Sequence, residues 1–295
     1  MRLIGLYREA EYSPGRHRSN DAELLDRVAH ALKARGFRVD LLTLGEAAAE
    51  RNRAAIMFSM CQGRTALDTL AVWEHEGVRV MNSPKASLNT YRDRLPAVMR
   101  SAGVPFPKTT LVGTAGAAGS AIDVNGGVWL KRGDVHATIS ADVQWVDSLD
   151  RLHEGLREFA SRGIAHAALQ PHHPGDEIKF YGVASSFFHW YYSDEGPSSA
   201  GHNDKNGSVK RRHALDVAAL HLVAQDAAAA AGLDIFGGDV IVGPSGALTV
   251  IDLNDWPSFA PCRDRASEAI ADHLMRRVDA AWNPGLVSSA DKSAI

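Results

Sequence analysis

A chain of 295 residues exceeds what one hydrophobic core usually supports, so two or three associated lobes are expected. With 45% hydrophobic residues, 23% charged residues and 12 prolines, the composition is that of a folded globular protein and excludes a disordered one. The net charge of -3, with its basic residues dispersed, excludes an electrostatic footprint for a nucleic-acid backbone.

Residues 3 to 7 read as a buried strand, and residues 21 to 35 repeat apolar positions at helical spacing until Gly36 stops them. Residues 37 to 42 alternate as a second strand, 55 to 60 form a third, and 78 to 81 a fourth after another helical stretch. Alternating strands and helices predict a parallel, doubly wound sheet, whose ligands gather beyond the C-terminal strand ends. The first loop there carries Tyr7, Arg8, Glu9, Arg16, His17 and Arg18, either as substrate contacts or as a solvated polar loop. No G-x-G-x-x-G follows the first strand, so a dinucleotide site lacks its phosphate-binding turn. Cys61, in S-M-C-Q-G after the third strand, either touches a ligand or is a small buried residue.

From Asn89, the run N-T-Y-R-D-R-L-P-A-V-M-R-S-A-G predicts a helix closed by Gly103, with Pro105 and Pro107 forcing an extended exit near a domain boundary. Residues 128 to 131 and 143 to 146 predict two strands of a small sheet, joined by the polar loop R-G-D-V-H-A-T-I-S. A helix over 148 to 161 and a strand near 167 to 170 follow. Residues 177 to 192, rich in Phe, Tyr, Trp and Val, predict antiparallel strands. The short basic run Lys210, Arg211, Arg212 and His213 is either a solvated turn or a holder of a few phosphate or carboxylate oxygens. An alanine-rich helix over 214 to 231 ends at Gly232, and strands at 238 to 242 and 248 to 253 flank the turn G-P-S-G.

This last hairpin carries the densest chemistry. Period-two alternation puts Asp252 and Asn254 on one face, and the hairpin returns Asp239 from the neighbouring strand towards them. Two carboxylates and an amide oxygen are hard ligands suited to magnesium, with water and nucleotide phosphates completing its octahedron. Two distant cysteines, Cys61 and Cys262, argue against a disulfide framework, and no run reaches the roughly 18 apolar residues of a membrane span. A cytoplasmic protein that engages no membrane is expected.

Over most of residues 80 to 275 the sequence resembles the ATP-grasp superfamily, specifically the ligases related to the ribosomal-protein glutamate ligase and glutathione synthetase. The resemblance implies an α/β (α+β) chain. An N-terminal doubly wound parallel-sheet lobe (1–88) precedes a two-lobed ATP-grasp domain (89–285) with antiparallel sheets. The small lobe spans about 108–170 and the C-terminal lobe about 171–285, before a frayed tail (286–295). It implies that Asp239, Asp252 and Asn254 hold magnesium, two ions in this family, with Asp252 where many ligases have Glu. V-W-L-K places Lys131 where a lysine contacts nucleotide phosphates, and Arg94 stands where a second phosphate-binding lysine is usual. L-Q-P-H-H-P-G-D-E-I-K resembles the interlobe hinge, implying adenine contacts near Gln170 and His172, ribose contacts at Glu177, and a cation from Lys179 at the terminal phosphate or the activated substrate, with a cross-strand ion pair as the alternative for Lys179. Arg211 or Arg212 takes a similar part. The loop after Lys131 departs from the pattern in having one glycine, where several usually let backbone amides close over phosphates; His136 substitutes for part of that lid, or the loop is shorter and less mobile.

By this likeness the protein joins a small-molecule carboxylate to an amine, using ATP and magnesium through an acylphosphate. A kinase resembling the inositol-phosphate kinases, or a nucleotide-binding protein without catalysis, are the alternatives. A homodimer is expected from base rates alone.

Overall fold

The computed structural model of the protein describes residues 1–50, 54, 56–115, 123–124, 126–195 and 212–282. Its first third is β1 (Arg2–Leu6), α1 (Arg16–Ala34), β2 (Arg38–Leu42), α2 (Leu44–Ala49), β3 (Ile56–Ser59), α3 (Arg64–His75) and β4 (Arg79–Met81). The four strands pair in parallel in the order β2-β1-β3-β4. Their apolar runs are buried on both faces, as parallel strands between helices must be. The short helix α2 was not foreseen; Thr43 and Glu46 form a reciprocal capping box that starts it.

α4 (Pro84–Asn89) and α5 (Leu95–Ala102) follow, where the sequence predicts one helix from Asn89. The interruption has a tertiary cause. The N–H groups of Arg92 and Asp93 donate to the carbonyls of Asp134 and Gly133, which draws the chain out of helical geometry. Gly103 ends α5 as expected, in the left-handed conformation at φ 71°.

A second sheet comprises β5 (Thr110–Gly113), β6 (Val128–Arg132), β7 (Val143–Val146) and β8 (His166–Pro171), in the order β5-β8-β6-β7 and antiparallel throughout. α6 (Leu149–Ser161) covers one face, burying Leu152, Leu156 and Phe159 against Leu130, Val146 and Leu169. Trp129, Lys131 and Gln170, on the other face, look into a cleft. β5 was not anticipated, and it completes the sheet at its edge.

The third sheet is built from β9 (Asp176–Val183), β10 (Phe187–Tyr192), β11 (Ile235–Val242) and β12 (Leu248–Asp255), with α7 (Val217–Ala231) between β10 and β11. Its order is β10-β9-β11-β12, all antiparallel. Ile178, Phe180, Val240 and Leu253 pack against Leu220 and Ala224 of α7 and Met99 of α5. The alternate residues Glu177 and Asp239 face the cleft. Gly238 permits this packing, because a Cβ there would lie 2.4 Å from the Asp252 carbonyl oxygen and 2.5 Å from the Phe180 ring.

α8 (Arg263–Trp282), which the sequence reading does not assign, returns to the first sheet. Its Ala266, Ile270 and Leu274 share one core with Leu24, Leu25 and Val28 of α1, and Trp256 and Phe259 join that core from the end of β12. Among the described residues no helix is long and apolar enough to cross a membrane. The expected tail at 286–295 lies outside the described residues.

Candidate functional site

The open faces of the second and third sheets enclose a cavity of about 220 Å³. Lys131, Gln170, His172, Glu177, Asp239 and Asp252, all singled out from sequence, line it together with Arg92 and Trp129. Asp239 and Asp252 are direct partners across β11 and β12, and Asn254 pairs with Gly237 two residues further along. The ladder skips Ile251, since Val240 already pairs with Val250. This bulge turns both Ile251 and Asp252 towards the cavity, whereas strict alternation would have hidden one of them. It also leaves the Ile251 carbonyl oxygen available to the Lys131 ammonium, 3.3 Å away.

Like charges placed opposite one another repel, so each carboxylate needs a cation. Lys179 Nζ lies 2.8 Å from Asp239 Oδ1 and 3.5 Å from Glu177 Oε1. Arg92 donates to Asp252 Oδ2. Burial alone would raise the Asp252 carboxyl, but Arg92 and then Lys131 outweigh it and hold the group below its ordinary value. Burial would lower Lys179, and Asp239 reverses the sign and raises it. Among the described residues no carboxylate touches Lys131 directly, so burial dominates and its pKa falls to about 8, despite Asp252 nearby. Glu177 is pushed up by burial and by Asp239, against the pull of Lys179.

Among the described residues, Arg92 Nε and Nη1 at the cavity, and Oδ1 of Asn254, which does not line it, are buried without a partner. An orphaned donor pair and an orphaned acceptor are costly unless a ligand satisfies them. Among the described residues no three His, Cys, Asp or Glu side chains gather as a complete metal cage. Two carboxylates and an unspent amide oxygen nevertheless fit magnesium, which keeps water and phosphate oxygens in its shell.

At the other end of the cavity Trp129, Trp145 and His172 form an aromatic rim. The two indoles meet edge to face at 5.1 Å between centroids, and Trp129 Nε1 donates to His172 Nδ1 at 3.4 Å. The Gln170 side-chain amide donates to Thr109 Oγ1 at 3.0 Å.

Other sequence candidates fall elsewhere. Arg94 caps α5 without a side-chain bond and does not line the cavity; Arg92, two residues earlier, does. Arg212 lies on the opposite side of β9. It binds Asp194 and Glu195, lies 3.7 Å from Asp176 and sits over the Tyr192 ring at 4.0 Å. Arg211 lies outside the described residues. The loop after Lys131 is held in place: Arg132 binds Asp134 and Asp142, and Arg8 Nη1 lies 3.3 Å from His136 Nε2. Glu9 accepts the N–H groups of Gln62 and Gly63 at the start of α3. Cys61 is buried, and burial pushes its thiol up to about 12, so it is a packed residue rather than a reactive one.

The sequence reading overlooked Arg92 and Asp255. Arg92 is adjacent to the resemblance-bearing D-R-L-P run and carries no motif of its own. Asp255 follows Asn254 but points inward, accepting from Ser87 Oγ at 2.6 Å and Asn82 Nδ2 at 2.5 Å, and burial raises its carboxyl to about 6. It fastens the end of β12 to α4.

No family model and no curated protein sequence matches the chain. Solved structures do. A D-alanine–D-alanine ligase from Bacillus anthracis complexed with ATP superposes with a TM-score of 0.71 at 11% identity, over 94% of this chain and 96% of that one. A RimK domain ATP-grasp protein from Sphaerobacter thermophilus gives 0.66 at 16% identity, over 93% and 100%. The D-cycloserine synthetase DcsG gives 0.65 at 17% identity, over 93% and 99%. At these identities the shared property is the fold.

Proposed function

Because this chain has the ATP-grasp fold, we propose that it is an ATP- and magnesium-dependent ligase that joins a small-molecule carboxylate to an amine. The supporting observation is the unspent donors on Arg92 beside the paired Asp239 and Asp252, in a cavity that also holds Lys131, with the unspent Asn254 acceptor two residues further along β12 and outside the cavity lining. That set suits a polyphosphate together with a hard cation. The division into a lobe at 1–88 and an ATP-grasp domain at 89–285, the cytoplasmic location and a homodimer are part of the same proposal.

In this reading Asp239, Asp252 and Asn254 would hold magnesium. Bound there with the nucleotide, the metal supplies positive charge for the phosphate oxygens. Lys131 and Arg92 bind phosphate oxygens, and Lys179 presents its cation to the terminal phosphate or the activated substrate. Trp129 and the segment from Gln170 to His172 enclose the adenine, and Glu177 binds the ribose. A substrate carboxylate oxygen bonds to the terminal phosphorus as the bond to ADP breaks. The amine nitrogen then bonds to the acyl carbon as phosphate leaves, and the nitrogen loses a proton to form the amide. Positioning and charge neutralisation suffice for the first step, so no covalent protein intermediate is needed. The placement of Arg212 among three carboxylates on the far side of β9 lends no support to a part for it in this chemistry.

The test is ADP release across pairs of carboxylates and amines, with hydroxylamine added as a trap. A hydroxamate supports the ligase. A phosphorylated alcohol without hydroxamate replaces it with a small-molecule kinase, and nucleotide binding with no turnover on any pair points to a non-catalytic binder.

A further inference from the structure

Without ligand, the cleft already balances its own charge. The carboxylates of Glu177, Asp239 and Asp252 sit among the cations of Arg92, Lys131 and Lys179. Asp239 holds Lys179 at 2.8 Å, and Asp252 holds Arg92. Each carboxylate proposed for magnesium therefore already has a side-chain cation on one oxygen. A divalent ion entering alone would join three positive groups in a partly dry site, where repulsion is poorly screened.

The same residues are unevenly spent. Arg92 is only 4% exposed, its guanidinium has five N–H donors, and its Nε and Nη1 have no partner. Beyond the cavity lining, two residues after Asp252, Asn254 Oδ1 has none either among the described residues. Spare guanidinium donors suit an anion's oxygens, and a spare amide oxygen suits a cation. Metal and nucleotide charges offset one another, so the balance survives only when both enter.

We propose that Arg92 and Lys179 are internal counter-ions that keep divalent metal out until a nucleotide arrives. The phosphate oxygens then take over both cations and free Asp252 and Asp239 for the metal. The inference rests on the ATP site proposed above, and it makes Arg92 a phosphate-binding residue that also sets the order of assembly.

The experiment uses Mn2+ as the metal probe, followed by loss of its free-ion paramagnetic resonance signal, and a non-hydrolysable ATP analogue. In the wild-type protein Mn2+ alone should leave the signal unchanged, and the analogue should tighten Mn2+ binding by roughly a hundredfold, a typical inter-ligand coupling. By reciprocity Mn2+ should tighten the analogue by the same factor. Arg92→Gln strips Asp252 of its cation and should bind Mn2+ without nucleotide, while Arg92→Lys should keep the wild-type dependence. Equal Mn2+ affinity of the wild type with and without the analogue overturns the inference, and this comparison needs no variant. So does an Arg92→Gln protein that binds the analogue with Mn2+ but takes no Mn2+ alone. A wild-type protein that binds neither analogue nor metal in any combination removes the ATP site itself, and the inference with it.

Discussion

Two buried ionic clusters, one on each antiparallel sheet, differ in how completely they are spent. In the second sheet Asp142 is fully buried. It accepts from the N–H groups of Thr138 and Ile139 at 2.7 and 3.1 Å, from Thr138 Oγ1 at 2.9 Å, and from Arg132 and Arg162. Burial would raise that carboxyl, but the backbone N–H groups and guanidiniums hold it well below the usual carboxylate range. Across the cleft Asp252 accepts from the Leu253 N–H at 3.2 Å and from one guanidinium, and among the described residues that guanidinium's Nε and Nη1 and the Asn254 Oδ1 have no partner. A closed network fixes a loop; an open one is shaped for something that is not part of the chain. Each cluster has a buried guanidinium at its centre, Arg132 in one and Arg92 in the other, so satisfaction of donors and acceptors is what separates them.

The sharpest way to break this contrast is to disturb each cluster in turn. Asp142→Asn leaves the buried Arg132 guanidinium short of charge and should cost about 3–5 kcal/mol of stability, read by denaturant unfolding. The wild-type contribution has a depressed folded pKa, so it is complete above the unfolded value of 3.8 and lost as pH falls through the folded one. Unfolding curves that show no acid-side difference between the two proteins would refute this. Asp252→Asn should instead be felt in function, lowering ATP turnover at least about a hundredfold, or about 2.7 kcal/mol of transition-state stabilisation. Turnover within a factor of two of wild type would remove Asp252 from the site.

Lys131 sharpens the comparison through pH. Its folded pKa, about 8, lies below the unfolded 10.5, so the unfolded chain holds the proton more tightly and the unliganded protein gains stability as pH rises between these values. Nucleotide affinity should fall over the same range, and binding near pH 8 should take up a proton, seen as a calorimetric enthalpy that varies with buffer ionisation. Lys131→Arg should abolish that variation. The smallest effect belongs to Arg212, a partly exposed residue at the margin. Arg212→Gln should cost about 1 kcal/mol, read as a small shift in the denaturant midpoint, and a much larger loss would promote it to the closed class of cluster.

Much of this was legible in the sequence. The parallel sheet shows in the alternation of apolar runs with amphipathic ones, and the β9–β10 and β11–β12 hairpins show in their aromatic and β-branched content. The cleft-lining positions Lys131, Gln170, Glu177, Asp239 and Asp252 lie on strands whose residues were read correctly. Arg94 and Arg212 come from the family resemblance, which matches positions by their place along the chain. Spacing cannot say which side of a bent segment, or of β9, faces the cavity.

The sequence by itself determined most of the strand and helix order, though not α2, β5 or α8, and the acid-apolar-Asn run, because these depend on periodicity and on residues adjacent in the chain. Only the tertiary structure decided that Asp252 faces the cavity, through a bulge at Ile251 that no local pattern encodes. It alone made Arg92 the cation of that carboxylate, because the carbonyls of Gly133 and Asp134 capture the backbone around Arg92 and break the expected helix. Both outcomes turn on hydrogen bonds between distant segments, whose partners become neighbours only when the three sheets are assembled.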